Sequence, residues 1–179
     1  VNAGSDKLLC LGNSVQLNAT GATNYTWTPA DGLDNTSIAN PVASPQSTIT
    51  YTVISTQNGI TKSDNVVVYV EDLYLETPGS VSICNGTGAA LNIKTNAVKY
   101  QWAPANGLSC NDCASPVATP NVNTAYTVTV TGIAGCTTSD EVAVVVGSER
   151  NRASNRFIGE LKRVYQHIYI ISLTEHAAL

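Results

Sequence analysis

The sequence contains no methionine, not even at its first position, and no signal-peptide pattern follows Val1. Such a chain reads as a mature or excised segment whose start has been removed. Histidine is nearly missing too: the only copies are His167 and His176, both near the C-terminus. A Ser-His-Asp or Cys-His arrangement would need that end folded back over the rest of the chain. Charged residues make up only 12%. Residues 1–148 hold four lysines against ten acids, a net −6, and residues 149–179 hold five Lys/Arg against three glutamates, a net +2. Neither segment presents a basic face for nucleic acid. No run approaches the roughly 20 apolar residues that span a bilayer, so no membrane insertion is expected. Phosphate loops and zinc motifs are missing. These absences leave no catalytic set, no metal ligands and no cofactor-binding residues to assign, and an enzyme is not expected.

What is present is a repetition. Tyr25-Thr-Trp27-Thr-Pro29-Ala-Asp-Gly32-Leu33 returns as Tyr100-Gln-Trp102-Ala-Pro104-Ala-Asn-Gly107-Leu108, displaced by 75 residues. Asn40-Pro41-Val42-Ala43-Ser-Pro45 returns as Ser115-Pro116-Val117-Ala118-Thr-Pro120, and Tyr51-Thr-Val53 as Tyr126-Thr-Val128. Aromatic, proline and glycine positions keep their spacing, which marks a duplicated structural unit. The division implied is 1–71 for the first copy, 72–147 for the second, and a separate tail over 148–179. Hydrophobic residues amount to 43%, enough for a core in each copy.

Thr- and Val-rich, Lys- and Glu-poor composition favours half-buried strands over helices. Residues 14–19, 24–28, 50–55 and 65–70 read as strands, matched by 89–94, 99–103, 125–130 and 141–146. Period-two alternation points Val15, Leu17, Trp27, Val53, Val66 and Val68 toward one core. Leu91, Ile93, Trp102, Val128, Val142 and Val144 are the equivalent set. Trp27 and Trp102 each occupy a middle strand, where an indole buries a large apolar area. Pro29 and Pro104 end that strand by removing a ladder donor. The fold class expected is all-β: two tandem immunoglobulin-like sandwiches plus a C-terminal tail.

The string Ala3-Gly4-Ser-Asp6, then Cys10-Leu-Gly12-Asn-Ser-Val15-Gln-Leu17-Asn-Ala19-Thr-Gly21, then Tyr-x-Trp-x-Pro-Ala-x-Gly-Leu resembles Ig-like/PKD-like tandem repeats. Those repeats occur in secreted surface proteins of Bacteroidetes, of the gliding-motility adhesin type. Gly107-Leu-Ser-Cys110-Asn-Asp-Cys113-Ala-Ser-Pro116-Val-Ala118-Thr-Pro120 is similar to the same family, so the resemblance covers about 1–147. It departs from the Trp-Asp-Phe-Gly-Asp-Gly loop of the better-known PKD pattern, and properties of that acidic loop are not carried over. The resemblance implies an extracellular, non-enzymatic role in building or displaying adhesive surfaces.

Five cysteines in a small β-rich chain fit an oxidising compartment. Cys84 precedes a core strand and Cys136 lies in the turn before the last strand, so a sandwich would bring the two together. That bond would close about 50 residues, worth roughly 4 kcal/mol by loop entropy. Cys110 and Cys113 form a Cys-x-x-Cys in a proline-bounded loop. The βαβ setting of a redox pair is missing and no histidine lies nearby for zinc, which leaves a small loop disulfide. Cys10 matches Cys84 in position, but Ile60 stands where Cys136 has its counterpart. Cys10 is therefore expected as a small buried hydrophobe, with pairing to another chain as the alternative.

Several smaller features have bland readings. Ser63-Asp64 and Ser139-Asp140, both before strands, read as turn-closing side chains. Asp31-Gly-Leu-Asp34-Asn35 lacks the carboxylate spacing of a calcium loop. Tyr69 and Tyr74 are the candidates for glycan stacking. In the tail, Phe157, Leu161, Val164, Ile168 and Ile171 recur at 4-3-4-3 spacing, a helical stripe, although Val164–Ile171 is also rich in strand formers. It would dock on its own chain, connect to a neighbour, or be a non-native end. Three functions follow: a structural or adhesive repeat segment at the cell surface, a filament subunit connected through the tail, or a carbohydrate-binding module. The partners expected are neighbouring repeats or identical subunits, and surface glycans for the third reading.

Overall fold

Strands account for all regular structure among the described residues, 1–147, of the computed structural model. The stripe Phe157, Leu161, Val164, Ile168 and Ile171, like both histidines, falls outside the described residues. In the first copy the strands are β1 (Lys7–Cys10), β2 (Val15–Gln16), β3 (Thr26–Thr28), β4 (Val42–Ala43), β5 (Ile49–Gln57) and β6 (Ile60–Glu71). One sheet has the order β1-β6-β5-β3, and β2 pairs with β4 in a second, shorter ladder. Backbone bonds from Leu17 N–H to Pro41 and from Ala19 N–H to Ala39 prolong that ladder without regular strand geometry.

The core of the first copy holds Leu9, Leu17, Trp27, Tyr51, Val53, Val66 and Val68, with Val15 and Leu33 packed at its margin. Alternation along β5 and β6 explains the set. Tyr51 and Val53 face inward from one strand and Val66 and Val68 from its neighbour, while Thr50, Thr52 and Asn65 face the other way. Each fully buried valine contributes about 1.5–3 kcal/mol relative to exposure. β5 and β6 run longer than sequence alternation indicates, because the two-residue turn Asn58-Gly59 joins them directly. Both residues take positive φ, +52° and +75°, as the tight hairpin turn that matches strand twist requires. Ser63 and Asp64 accordingly lie inside β6, opposite Ile54 and Val53, and do not close a turn.

The later strands are β7 (Leu75–Glu76), β8 (Ser80–Cys84), β9 (Ala89–Ala90), β10 (Lys94–Thr95), β11 (Lys99–Ala103), β12 (Val117–Ala118), β13 (Thr124–Thr131) and β14 (Thr137–Gly147). Their main sheet has the order β11-β13-β14-β8, and β12 pairs with β9. Leu91, Trp102, Tyr126, Val128, Val130, Val142 and Val144 are buried, whereas Ile93 is only half-buried. Ser139 and Asp140 lie within β14. By contact density the chain forms two compact units, and they do not coincide with the two sequence copies. Among the described residues, one comprises Val1–Glu76, Ile93–Gln101 and Val128–Asp140; the other comprises Thr77–Asn92, Trp102–Thr127 and residues 141–147.

The duplication extends to individual polar anchors. The Trp27 indole N–H donates to the Ile38 carbonyl at 2.9 Å, and that of Trp102 to the Cys113 carbonyl at 2.9 Å. The Tyr51 hydroxyl donates to the Asp31 carbonyl at 2.6 Å, and the Tyr126 hydroxyl to Asn106 at 3.0 Å. Tyr25 reaches Ala22 as Tyr100 reaches Ala97. Buried polar tips need such partners, so each anchor fixes a loop against its core. Gly32 and Gly107 sit at φ +72° and +80° under those tyrosines. A Cβ on Gly32 would stand 2.9 Å from the Pro45 backbone, and one on Gly107 would stand 2.8 Å from the Tyr126 hydroxyl. Among the described residues no helix is long and apolar enough to cross a membrane.

Candidate functional site

The most elaborate polar arrangement is built around Glu71, the last residue of β6. Strand β1 runs parallel to β6 with Cys10 opposite Glu71, and the Leu11 N–H donates to the Glu71 carbonyl at 2.9 Å. The Glu71 side chain accepts the Ile133 N–H at 2.8 Å on Oε1 and the Ala134 N–H at 2.9 Å on Oε2. Those amides belong to the hairpin turn between β13 and β14, where Gly132 N–H donates to Cys136 and Gly135 adopts φ +80°. A three-residue loop closed by a left-handed glycine explains the local sequence Gly-Ile-Ala-Gly-Cys. Gly132 matters for a different reason: a Cβ there would displace the Glu71 carboxylate from its place against the two amides.

This clamp lies beside a disulfide between Cys10 and Cys136, whose Cα atoms are 5.7 Å apart across 126 residues of sequence. Both cysteines belong to the first compact unit. The pairing corrects the sequence expectation of Cys84 with Cys136. β8 runs parallel to β14 with Cys84 opposite Gly147, and Cys136 adjoins the opposite end of that strand. Eleven residues of strand separate the two, about 35 Å at the usual rise, far beyond disulfide reach. Cys10 is correspondingly bonded and half-buried instead of being a buried hydrophobe. Cys110 and Cys113 are bonded to each other, and Cys84 carries a free, half-buried thiol.

A hollow of about 460 Å³ adjoins the Cys10–Cys136 bond, lined in part by Leu11, Asn13, Glu71, Asp72 and Gly135. It offers a staple instead of a reactive pair. Both sulfurs are bonded, and the Glu71 carboxylate is filled by two backbone N–H groups. No cluster of three or more metal-ligating side chains occurs among the described residues. Asp34 accepts the Val42 N–H through Oδ1, and Ser109 takes that place in the second copy toward Val117. That is turn chemistry.

Titratable groups elsewhere have structural causes. Asp64 accepts the Ala3 N–H at 2.8 Å; that bond first, then the Asn65 N–H, holds its carboxyl below the usual carboxylate range. Burial raises the Tyr51 phenol, helped by the nearby Asp31 carboxylate, and burial alone raises Tyr126. Trp27 and Trp102 are 2% and 1% exposed, which leaves no indole face for a ligand. Tyr69 and Tyr74 are exposed, on β6 and just before β7. Glu71 and Gly132 are invisible to sequence reasoning as partners, since a single acid ending a valine run carries no signal of the amides it accepts.

Comparison with solved structures decides the fold. Extracellular domains 3–5 of Drosophila OTK align with a TM-score of 0.52 and 13% identity, covering 80% of this chain and 59% of that one. The I-band fragment I67–I69 of titin aligns with a TM-score of 0.52 and 13% identity, covering 80% and 63%. The fold is that of tandem immunoglobulin-like sandwiches. Identity at this level establishes the fold alone, and the chain spans about three-fifths of the length of these structures. Among family models, that of the ribulose bisphosphate carboxylase large chain N-terminal domain matches residues 21–83. That match covers little more than a third of the immunoglobulin-like chain and cuts across the duplication, so it establishes no family. No curated protein matches the sequence.

Proposed function

We propose that this chain is a non-enzymatic structural and adhesive repeat segment of an extracellular bacterial cell-surface protein, built from repeats at 1–71 and 72–147. The observation that carries the reading is the copying of purely structural anchors. One tryptophan and one tyrosine per core make the same loop contacts in both copies. A duplicated scaffold whose shared side-chain contacts are structural supports mechanical display over catalysis. Two disulfides support an oxidising, extracellular setting. The resemblance of 1–147 to secreted surface repeats supports the bacterial origin, and immunoglobulin-like partners or further repeats are the partners that fit.

The test is the mass and shape of the full chain beside a version ending at Gly147, by light scattering and negative-stain microscopy. Two-lobed monomers in both cases agree with the repeat-segment reading. Ordered polymers from the full chain alone would overturn it in favour of a filament subunit connected through residues 148–179. A carbohydrate-binding role has only Tyr69 and Tyr74 in its favour, and strong glycan-array signals lost on Tyr69→Ala would be needed to raise it.

A further inference from the structure

Cys84 is the one cysteine with no partner, yet its surroundings reproduce those of a cysteine that has one. In the first copy, Cys10 ends a strand parallel to β6, opposite Glu71. The next residue, Leu11, donates its N–H to the Glu71 carbonyl at 2.9 Å, and Asn13 N–H returns to the Cys10 carbonyl at 3.0 Å around Gly12 at φ +85°. In the second copy, Cys84 ends a strand parallel to β14, opposite Gly147. Asn85 donates its N–H to the Gly147 carbonyl at 3.1 Å, and Thr87 N–H returns to Cys84 at 3.0 Å around Gly86 at φ +80°. Register, following bond and following turn all coincide, so the first copy acts as a comparison structure for the second. In it the cysteine at this position is bonded to a turn cysteine of the copy that follows.

The receiving half of the pattern is equally definite. Cys136 lies at the end of the Gly132–Cys136 turn, ahead of the last strand of the second copy. The same place in the first copy is the shorter turn through Asn58-Gly59 to Ile60, which is exposed and offers no sulfur. The staple therefore has a direction: the first copy donates only, and the second both receives, through Cys136, and holds a second donor, Cys84.

We propose that Cys84 is the attachment point for the turn cysteine of a further sandwich of this kind, joined as Cys10 is joined to Cys136. The partner is recognised by its chemistry, a β-hairpin with a three-residue, glycine-closed loop ending in a free cysteine before its last strand. Cys136 of another molecule does not qualify while it is bonded to its own Cys10. The carboxylate clamp is not reproduced, because Gly147 stands where Glu71 does, so recognition rests on the sulfur and the turn backbone. This goes beyond the adhesive reading and stands or falls separately from it.

Bond formation takes a disulfide oxidant such as oxidised glutathione. The Cys84 thiolate attacks one glutathione sulfur, the glutathione S–S bond breaks, and one reduced glutathione leaves. The partner thiolate then attacks the Cys84 sulfur of the mixed disulfide and expels the second reduced glutathione. Two thiols lose two protons and two electrons, and one glutathione disulfide becomes two thiols.

The test uses the unmodified full chain and two synthetic, head-to-tail cyclised hairpin peptides. One spans residues 128–140 and carries Cys136; the other spans residues 53–64 of the first copy with Ile60→Cys. Each is equilibrated with the chain in a glutathione redox buffer, and Cys84 adducts are quantified by mass spectrometry. The expected result is about tenfold more Cys84 adduct with the 128–140 hairpin, the gain in effective concentration that a docked turn provides. Loss of the adduct in Cys84→Ser assigns it to this thiol. Equal capture of the two hairpins, or capture only of glutathione, overturns the proposal.

Discussion

Replacing both Cys10 and Cys136 by serine should remove the largest single constraint on the unfolded chain. The bond spans 126 residues, for which loop-closure entropy gives about 16 cal/mol/K, or about 5 kcal/mol at 25 °C. That figure is a ceiling, reached only if both ends unfold in one transition. Cys10 and Cys136 do belong to one compact unit, made of Val1–Glu76, Ile93–Gln101 and Val128–Asp140. The two N–H bonds to Glu71 survive the substitution, so the native contacts around the turn stay in place and the loss is carried by the unfolded state. For a chain of this size, about 5 kcal/mol corresponds to a fall in Tm of about 10–20 °C. Urea unfolding followed by fluorescence suits the assay, because Trp27 and Trp102 report on different cores. The Trp27 signal should shift to lower urea, since Trp27 lies in the compact unit that holds both ends of the bond. An unchanged Trp27 midpoint would refute the reasoning, since it would mean that the two ends of the bond never share an unfolding step.

Tyr51→Phe and Tyr126→Phe each remove one hydroxyl donated to a carbonyl 20 residues earlier. Each should cost about 1 kcal/mol in urea unfolding, and a cost confined to one of them would deny that the anchors are equivalent. Acid should weaken the first copy through Asp64. Its folded pKa lies below the unfolded value of 3.8, so its stabilisation is complete above 3.8 and disappears as pH falls through the lower folded value. Asp64→Asn should flatten that part of the acid-unfolding curve, and an unaltered curve would count against the Ala3 contact.

The all-β class and the duplication were legible because both rest on spacing. Period-two alternation identifies Val53, Val66, Val128 and Val142 without any knowledge of partners, and turn residues punctuate the strands. The expected core omitted Tyr51 and Tyr126, although each lies two residues from an inward valine on the same face of its strand. An aromatic with a polar tip reads as amphipathic, and only the carbonyl of Asp31 or Asn106 makes its burial tolerable. Val15 and Ile93 lie shallower than alternation indicates, because their alternating runs do not continue as regular strands. The strands joined at Asn58-Gly59 extend past the alternating runs 50–55 and 65–70, because polar stretches such as Thr61–Asn65 remain fully paired without alternating in hydrophobicity.

The disulfide pairing was illegible for a topological reason. Cys10 and Cys84 end short strands, Lys7–Cys10 and Ser80–Cys84, that add to their sheets in parallel with the last strand of the same copy. A parallel neighbour has no hairpin to announce it in sequence, so nothing local says which end of the long strand a terminal cysteine will reach. Once that direction is known, the rest follows. Each cysteine lies at the exit end of its copy, and a turn cysteine at the entry end of the same strand is out of its range. Cys10 bonds outward instead, to a turn of the second copy that it does not itself help to build, and Cys84 ends its own strand in the same register.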